Sequence, residues 1–165
     1  MMKSSVRLIA LVAIMSALGN VLGLLSIRLP SAPGTTVDFH LSVLPALLLA
    51  VSIGPLSGAV TGALSAVMAT MSIGNLFIPF GNALLAGITG LLANKLKFTP
   101  PVSGATAMIP YAPYIWFASL VYGVPEPIIA FIIVKAFIEV LISTTFIDFM
   151  FLRPEVKSLL AAFKT

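Results

Sequence analysis

Lys135 and Glu139 stand four residues apart inside the apolar run 126–151, a spacing that puts both on one face of a helix. In mid-membrane each costs at least ~2.5–3 kcal/mol, so both must face protein or a water-filled cavity. Two chemistries fit. Either Lys135 presents a cation to an anionic or carbonyl group of a solute while Glu139 holds and partly neutralises it, or the two form a self-neutralising structural pair. Trp116, Ser119 and Tyr122 recur at helical spacing. Trp116 and Tyr122 can stack on a flat heterocycle, or they can belong to the belt of aromatics that lines a membrane surface. Asn75 and Asn82 share a helical face seven residues apart, and an amide in the membrane needs partners from a neighbouring helix or from a solute. Asn20 is a similar case. His40 and Asp38 lie together beside a polar stretch, but one histidine, no cysteine and scattered carboxylates do not make a metal site. No HExxH, GxSxG or glycine-rich nucleotide loop occurs. No cofactor or enzymatic chemistry is expected, and energy from ATP would have to come from a partner.

The elements that position these groups follow from composition. Of 165 residues, 59% are apolar and 8% charged, with a mean hydropathy of +1.15. That leaves too little polar surface for a soluble globule, and a polytopic membrane protein is expected. Six crossings of a ~30 Å hydrocarbon core would use roughly 120 residues, leaving only turns outside. The net charge of +4 is scattered between apolar runs and forms no nucleic-acid face.

The expected spans are 8–27, 36–53, 56–71, 76–94, 103–122 and 126–151. Between the first two, RLPSAPGTTVD (28–38) is too rich in proline and polar residues to stay helical and reads as a surface loop. Gly54-Pro55, SIGN (72–75), NKLKFTPP (94–101) and the Gly123 to Pro127 region read as further turns. Pro45 makes span two the weakest, and Pro110 and Pro113 should bend span five. A short amphipathic helix is expected in the tail after Arg153-Pro154. With six spans, Lys3, Arg7, Lys95, Lys97, Arg153, Lys157 and Lys164 share one side and Arg28 falls on the other. The positive-inside rule then places both termini in the cytoplasm. Treating the second span as re-entrant would spoil that agreement. The fold expected is therefore all-α: a single compact bundle of six transmembrane helices, N-in and C-in, in the plasma membrane.

Small residues make flat faces. Ala10, Ala13 and Ala17 stripe span one, and Gly58 and Gly62 stripe span three, permitting close backbone contact within the bundle or with another subunit. Spans one to three are nearly free of ionisable groups, whereas spans four to six hold the amides, most aromatics and the intramembrane charges. A packing half and a chemical half result.

Over essentially its whole length the chain resembles the substrate-binding S components of energy-coupling factor (ECF) vitamin transporters. The resemblance is carried by the six spans, the long loop after span one, the AxxxA of Ala13 and Ala17, and the FHLSVLPALLLAVSIGPLSGAVTGAL stretch from Phe39 to Leu64. It implies that spans one to three dock through the alanine face, with Gly58 and Gly62 assigned to the same docking surface, on a transmembrane coupling subunit (the T component) joined to two ATPase subunits. It also implies a pocket near the outer face, formed by spans four to six and closed by the 28–38 loop. On this reading the chain captures a water-soluble vitamin or precursor from outside. Asn82, Trp116, Lys135 and Glu139 line the pocket, and Asn75, Tyr122 and His40 lie near its mouth. The alternative from another class is a self-sufficient secondary carrier or small channel using Lys135 and Glu139 as coupling groups, although the two halves carry no evident repeat. Replacing both Ala13 and Ala17 by Trp is expected to abolish assembly with partner subunits and uptake while leaving solute affinity intact. Co-purification and equilibrium binding check this, and an equal fall in affinity would contradict the docking assignment.

Overall fold

The computed structural model describes residues 2–32 and 34–151; Arg153, Lys157, Lys164 and the expected tail helix lie outside the described residues. In chain order the elements are α1 (Met2–Leu24), β1 (Ile27–Ala32), β2 (Thr35–Phe39), α2 (Leu44–Ser52), α3 (Pro55–Ser65), α4 (Val67–Ile73), α5 (Phe77–Lys95), α6 (Pro100–Val121) and α7 (Glu126–Phe151). Four stretches are long and apolar enough to cross a membrane: Val6–Leu24, Pro55–Ile73, Phe77–Lys95 and Glu126–Phe151. The 22-residue α6 has the length, but Pro110, Pro113 and its tyrosines dilute its apolar character.

Two expectations about the N-terminal third are corrected. The fold is not wholly helical, because the 28–38 stretch belongs to an antiparallel hairpin in which Ile27 pairs with Phe39, Arg28 with Asp38 and Leu29 with Val37. Side chains alternate along its strands. Leu29, Val37 and Phe39 are half-buried while Arg28, Pro30, Thr36 and Asp38 are exposed, so the hairpin lays an apolar underside on the bundle, chiefly on α7. Secondly, the expected 36–53 span begins as strand and becomes helix only at Leu44. Its helix of nine residues is about 14 Å long at ~1.5 Å per residue, half a hydrocarbon core. Pro45 is compatible with it because it sits in the first turn, where no helical N–H bond is lost.

This short helix is the centre of the molecule. Pro45 to Ala50 and Ser52 are buried, with Ala46, Leu47, Leu49 and Ala50 at 0% exposure, and α1, α3, α5 and α7 pack around it. It is apolar all round because it is enclosed all round. Gly54, at φ 150° in a region that side chains avoid, reverses the chain directly into α3. Asn94 of α5 then donates to the carbonyls of Ala50 and Gly90, both at 2.8 Å, and so satisfies the end of α2.

Span three is likewise two helices, broken at Ala66. Asn20 of α1 repairs the break: its Nδ2 donates to Leu64 O at 2.9 Å, and its Oδ1 accepts the Met68 N–H at 2.9 Å. Ser16 and Gly19 of α1 turn inward, with Gly19 against Ser42 and Ser65, whereas Ala10, Ala13 and Ala17 are exposed. The expectation that Gly58 and Gly62 belong to a partner-facing surface is corrected. Both are buried inside the bundle, Gly58 against Ala50 of α2 and Gly62 against the backbone of Asn82 in α5. A Cβ on Gly62 would lie 2.6 Å from Asn82 O, and rigid backbone cannot yield as a flexible side chain can. Gly62→Val should therefore destabilise the bundle by about 1–3 kcal/mol, the usual cost of overpacking, read as a lowered Tm of the detergent-solubilised protein.

Candidate functional site

The polar groups fall into two clusters, each built across helices distant in sequence. In the first, Lys135 and Glu139 project from α7 to the base of the hairpin. The Lys135 ammonium lies 3.1 Å from Glu139 Oε2 and donates to Asp38 O at 2.9 Å. Glu139 Oε1 accepts the backbone N–H of His40 at 2.6 Å. Both side chains are largely enclosed, with 11% and 7% exposure. Glu139 lies about 20 Å along α7 from Glu126, at ~1.5 Å per residue, so the hairpin base reaches deep into the bundle. Residues 40–43 belong to neither strand nor helix. Their backbone groups need partners from the neighbouring elements.

His40 completes the cluster. Ser42 Oγ hydrogen-bonds its Nδ1 at 2.9 Å. Its Nδ1 also lies 3.9 Å from Glu139 Oε1. Farther out, Arg28 and Asp38 face each other across the strands at 3.9 Å, but with 82% and 51% exposure they contribute little.

The second cluster joins α5 to α6. Tyr111 donates to Asn82 Oδ1 at 3.4 Å, and Tyr114 donates to Phe77 O at 2.7 Å. The two tyrosine rings stack at 6.4 Å. They lie over Gly81, where a Cβ would come within 2.8 Å of Tyr114. Phe77 takes the edges of Tyr114, Phe117 and Tyr122 at ring distances of 6.1–6.4 Å. At its outer end Tyr122 OH accepts the Leu76 N–H at 3.0 Å and Asn75 Oδ1 accepts the Phe77 N–H at 2.9 Å. Both thereby cap the start of α5. The α6 end is closed by a left-handed Gly123, with Gly123 N–H on Leu120 O and Val124 N–H on Ser119 O.

The structure thus brings Lys135, Glu139 and His40 into one cluster, pairs Asn82 with Tyr111 between α5 and α6, and sets Asn75 with Tyr122 at the α5–α6 end. Trp116 is 36% exposed, whereas Ile115 and Ser119 on the same helix are buried. Tyr111 and Tyr114 were not anticipated from the sequence; their signal is a pair of tyrosines at i, i+3 within the proline-interrupted half of α6. Ser143 was also missed. One turn beyond Glu139, its hydroxyl is, among the described residues, the buried side-chain group without a hydrogen-bond partner.

Fold and site define a helical membrane protein in which a strand hairpin is docked on a Lys–Glu pair of the last helix. The sequence model of the family described as "ECF-type riboflavin transporter, S component" matches residues 3–157, and the chain belongs to that family. A solved structure described as "Structure and mechanism of the S component of a bacterial ECF transporter" has the same fold. The TM-score is 0.52 at 23% identity, covering 96% of this chain and 98% of that one. No curated protein matches.

Proposed function

We propose that the chain binds riboflavin at the outer face of the plasma membrane and delivers it as the substrate-binding subunit of an ECF transporter. The observation that carries this reading is the Lys135–Glu139 pair held against the hairpin base at Asp38 and His40, in a chain of the riboflavin S-component family, with the Asn82–Tyr111 pair joining α5 to α6. Riboflavin presents a flat ring system with two carbonyl oxygens and a polyhydroxyl tail. The Lys135 ammonium has three N–H donors, of which Glu139 and Asp38 take two, leaving one for a ring carbonyl. The Asn82 amide offers its Nδ2, and Trp116 a stacking face. Asn75, Tyr122 and His40 stand near the mouth, and Glu139 keeps Lys135 charged and oriented.

Six crossings with both termini in the cytoplasm put the hairpin outside, with the second crossing made by β2, the irregular residues 40–43 and α2 together. Ala10, Ala13 and Ala17, exposed along α1, form the face that docks on the T component, which carries two ATPase subunits. The chain itself hydrolyses nothing, and release inward is driven by the partners.

Purified protein should quench riboflavin fluorescence on binding and retain the vitamin in native mass spectrometry. Lys135→Met should weaken that binding by more than tenfold, or ~1.4 kcal/mol and upward. Unchanged affinity would return Lys135 to a purely structural role, and absence of binding in the wild type would overturn the substrate.

A further inference from the structure

In an extended chain the C=O of one residue and the N–H of the second residue after it point to the same edge. Asp38 O and His40 N–H are such a pair, and they are the two backbone groups that meet Lys135 and Glu139. At the free edge of β2, α7 therefore supplies one donor and one acceptor, as a third strand would. The i, i+4 spacing sets the ammonium and the carboxylate side by side, and their contact at 3.1 Å fixes their separation.

We propose that Glu139 is the positioning residue of the hairpin: by holding the His40 amide and the Lys135 ammonium at once, it docks β2 on α7 and sets how fast a solute beneath the hairpin exchanges. This rests on the reading of that end as a solute site. Glu139 touches two partners and Lys135 only one element of the hairpin, so losing the carboxylate releases both backbone contacts, directly at His40 and through Lys135 at Asp38. A pairing made by side chains is also exchangeable. A solute carbonyl can replace Asp38 O on Lys135 while Glu139 keeps its grip on His40. The hairpin's other attachment is the apolar underside of Leu29, Val37 and Phe39, which has no directional preference and lets β2 slide once the edge is released.

The sequence contains no cysteine, so spin labels can be introduced singly or in pairs without background. Labels at Thr36→Cys on the exposed hairpin face and Leu120→Cys on α6 report hairpin docking by double electron–electron resonance. Labels at Leu91→Cys and Leu120→Cys report the helices alone. Glu139→Leu, which removes both the acceptor of the His40 N–H and the partner of Lys135, should broaden the 36–120 distances, leave the 91–120 distances unchanged, and raise the riboflavin off-rate about tenfold, a ~1.4 kcal/mol change, with a smaller change in on-rate. Should Glu139→Leu fail to fold because Lys135 is left unpaired, the double variant Lys135→Met, Glu139→Leu leaves no lone buried charge and must broaden the same distribution. A narrow 36–120 distribution in the variant that folds overturns the positioning role. A wild type that ignores riboflavin while the variant broadens overturns the substrate reading and leaves the positioning role standing.

Discussion

Irregular backbone deep in a helical membrane bundle must find every hydrogen bond within the protein, because neither lipid nor bulk water supplies one. Residues 40–43 place that demand on this fold, since they connect a strand to a helix beside the middle of α7. The answer is Glu139 and Lys135, which satisfy the backbone on both sides of Phe39, and Ser42, which satisfies the imidazole of His40. That set of contacts holds the hairpin base on α7. An intramembrane ion pair that looks like a luxury along α7 becomes a necessity once the chain opposite it is known.

The same demand recurs wherever a helix is cut short. The C-terminal carbonyl of α2 at Ala50 is met by Asn94, the break at Ala66 by Asn20, and the first N–H groups of α5 by Tyr122 and Asn75. Each amide or phenol comes from a helix other than the one it completes, or from the turn before it. Polar residues here are largely the fittings of interrupted helices, and this is why an inventory of polar side chains overstates the number available to a solute. Asn82 and Lys135 differ, since each retains a donor after its recorded protein contact is counted.

How far the sequence revealed this depended on whether the signal was local. Gly54-Pro55, the 94–101 break and Gly123 mark real chain reversals, because a glycine or proline acts through its own backbone wherever it stands. The inward orientation of Lys135 and Glu139 was equally legible, as lipid penalises the alternative. What escaped was pairing across distance. Nothing near Arg28 announces that RLPSA and TTVDF will form a ladder, since two prolines and a glycine read as a loop. The alternation of Leu29, Val37 and Phe39 covers too few residues to stand out. Gly58 and Gly62 were legible as a smooth face but not as an inner one, because close approach by α2 and α5 needs the same small residues as close approach by another subunit. Tyr111 was hidden by the prolines beside it, which suggested only a bend.

The energetics of the Lys135–Glu139 pair argue that its value lies outside stability. Bringing two charges into a poorly solvated interior costs several kcal/mol per ion, and apolar residues of like size often do as well or better. A neutral pair of side chains could also meet Asp38 O and His40 N–H, since an amide donates and accepts as required. The charged pair does something an amide does not. Its ammonium remains a strong donor with one N–H unspent, and its partner carboxylate is fixed by a backbone N–H, so the cation cannot collapse away from the space it faces. A neutral clasp would hold the hairpin equally well and offer a solute little. A lone lysine would offer a charge at a cost the fold could not offset. The pair keeps a cation in the interior and makes the hairpin's attachment depend on it, so that strand docking and the proposed solute recognition draw on the same two side chains.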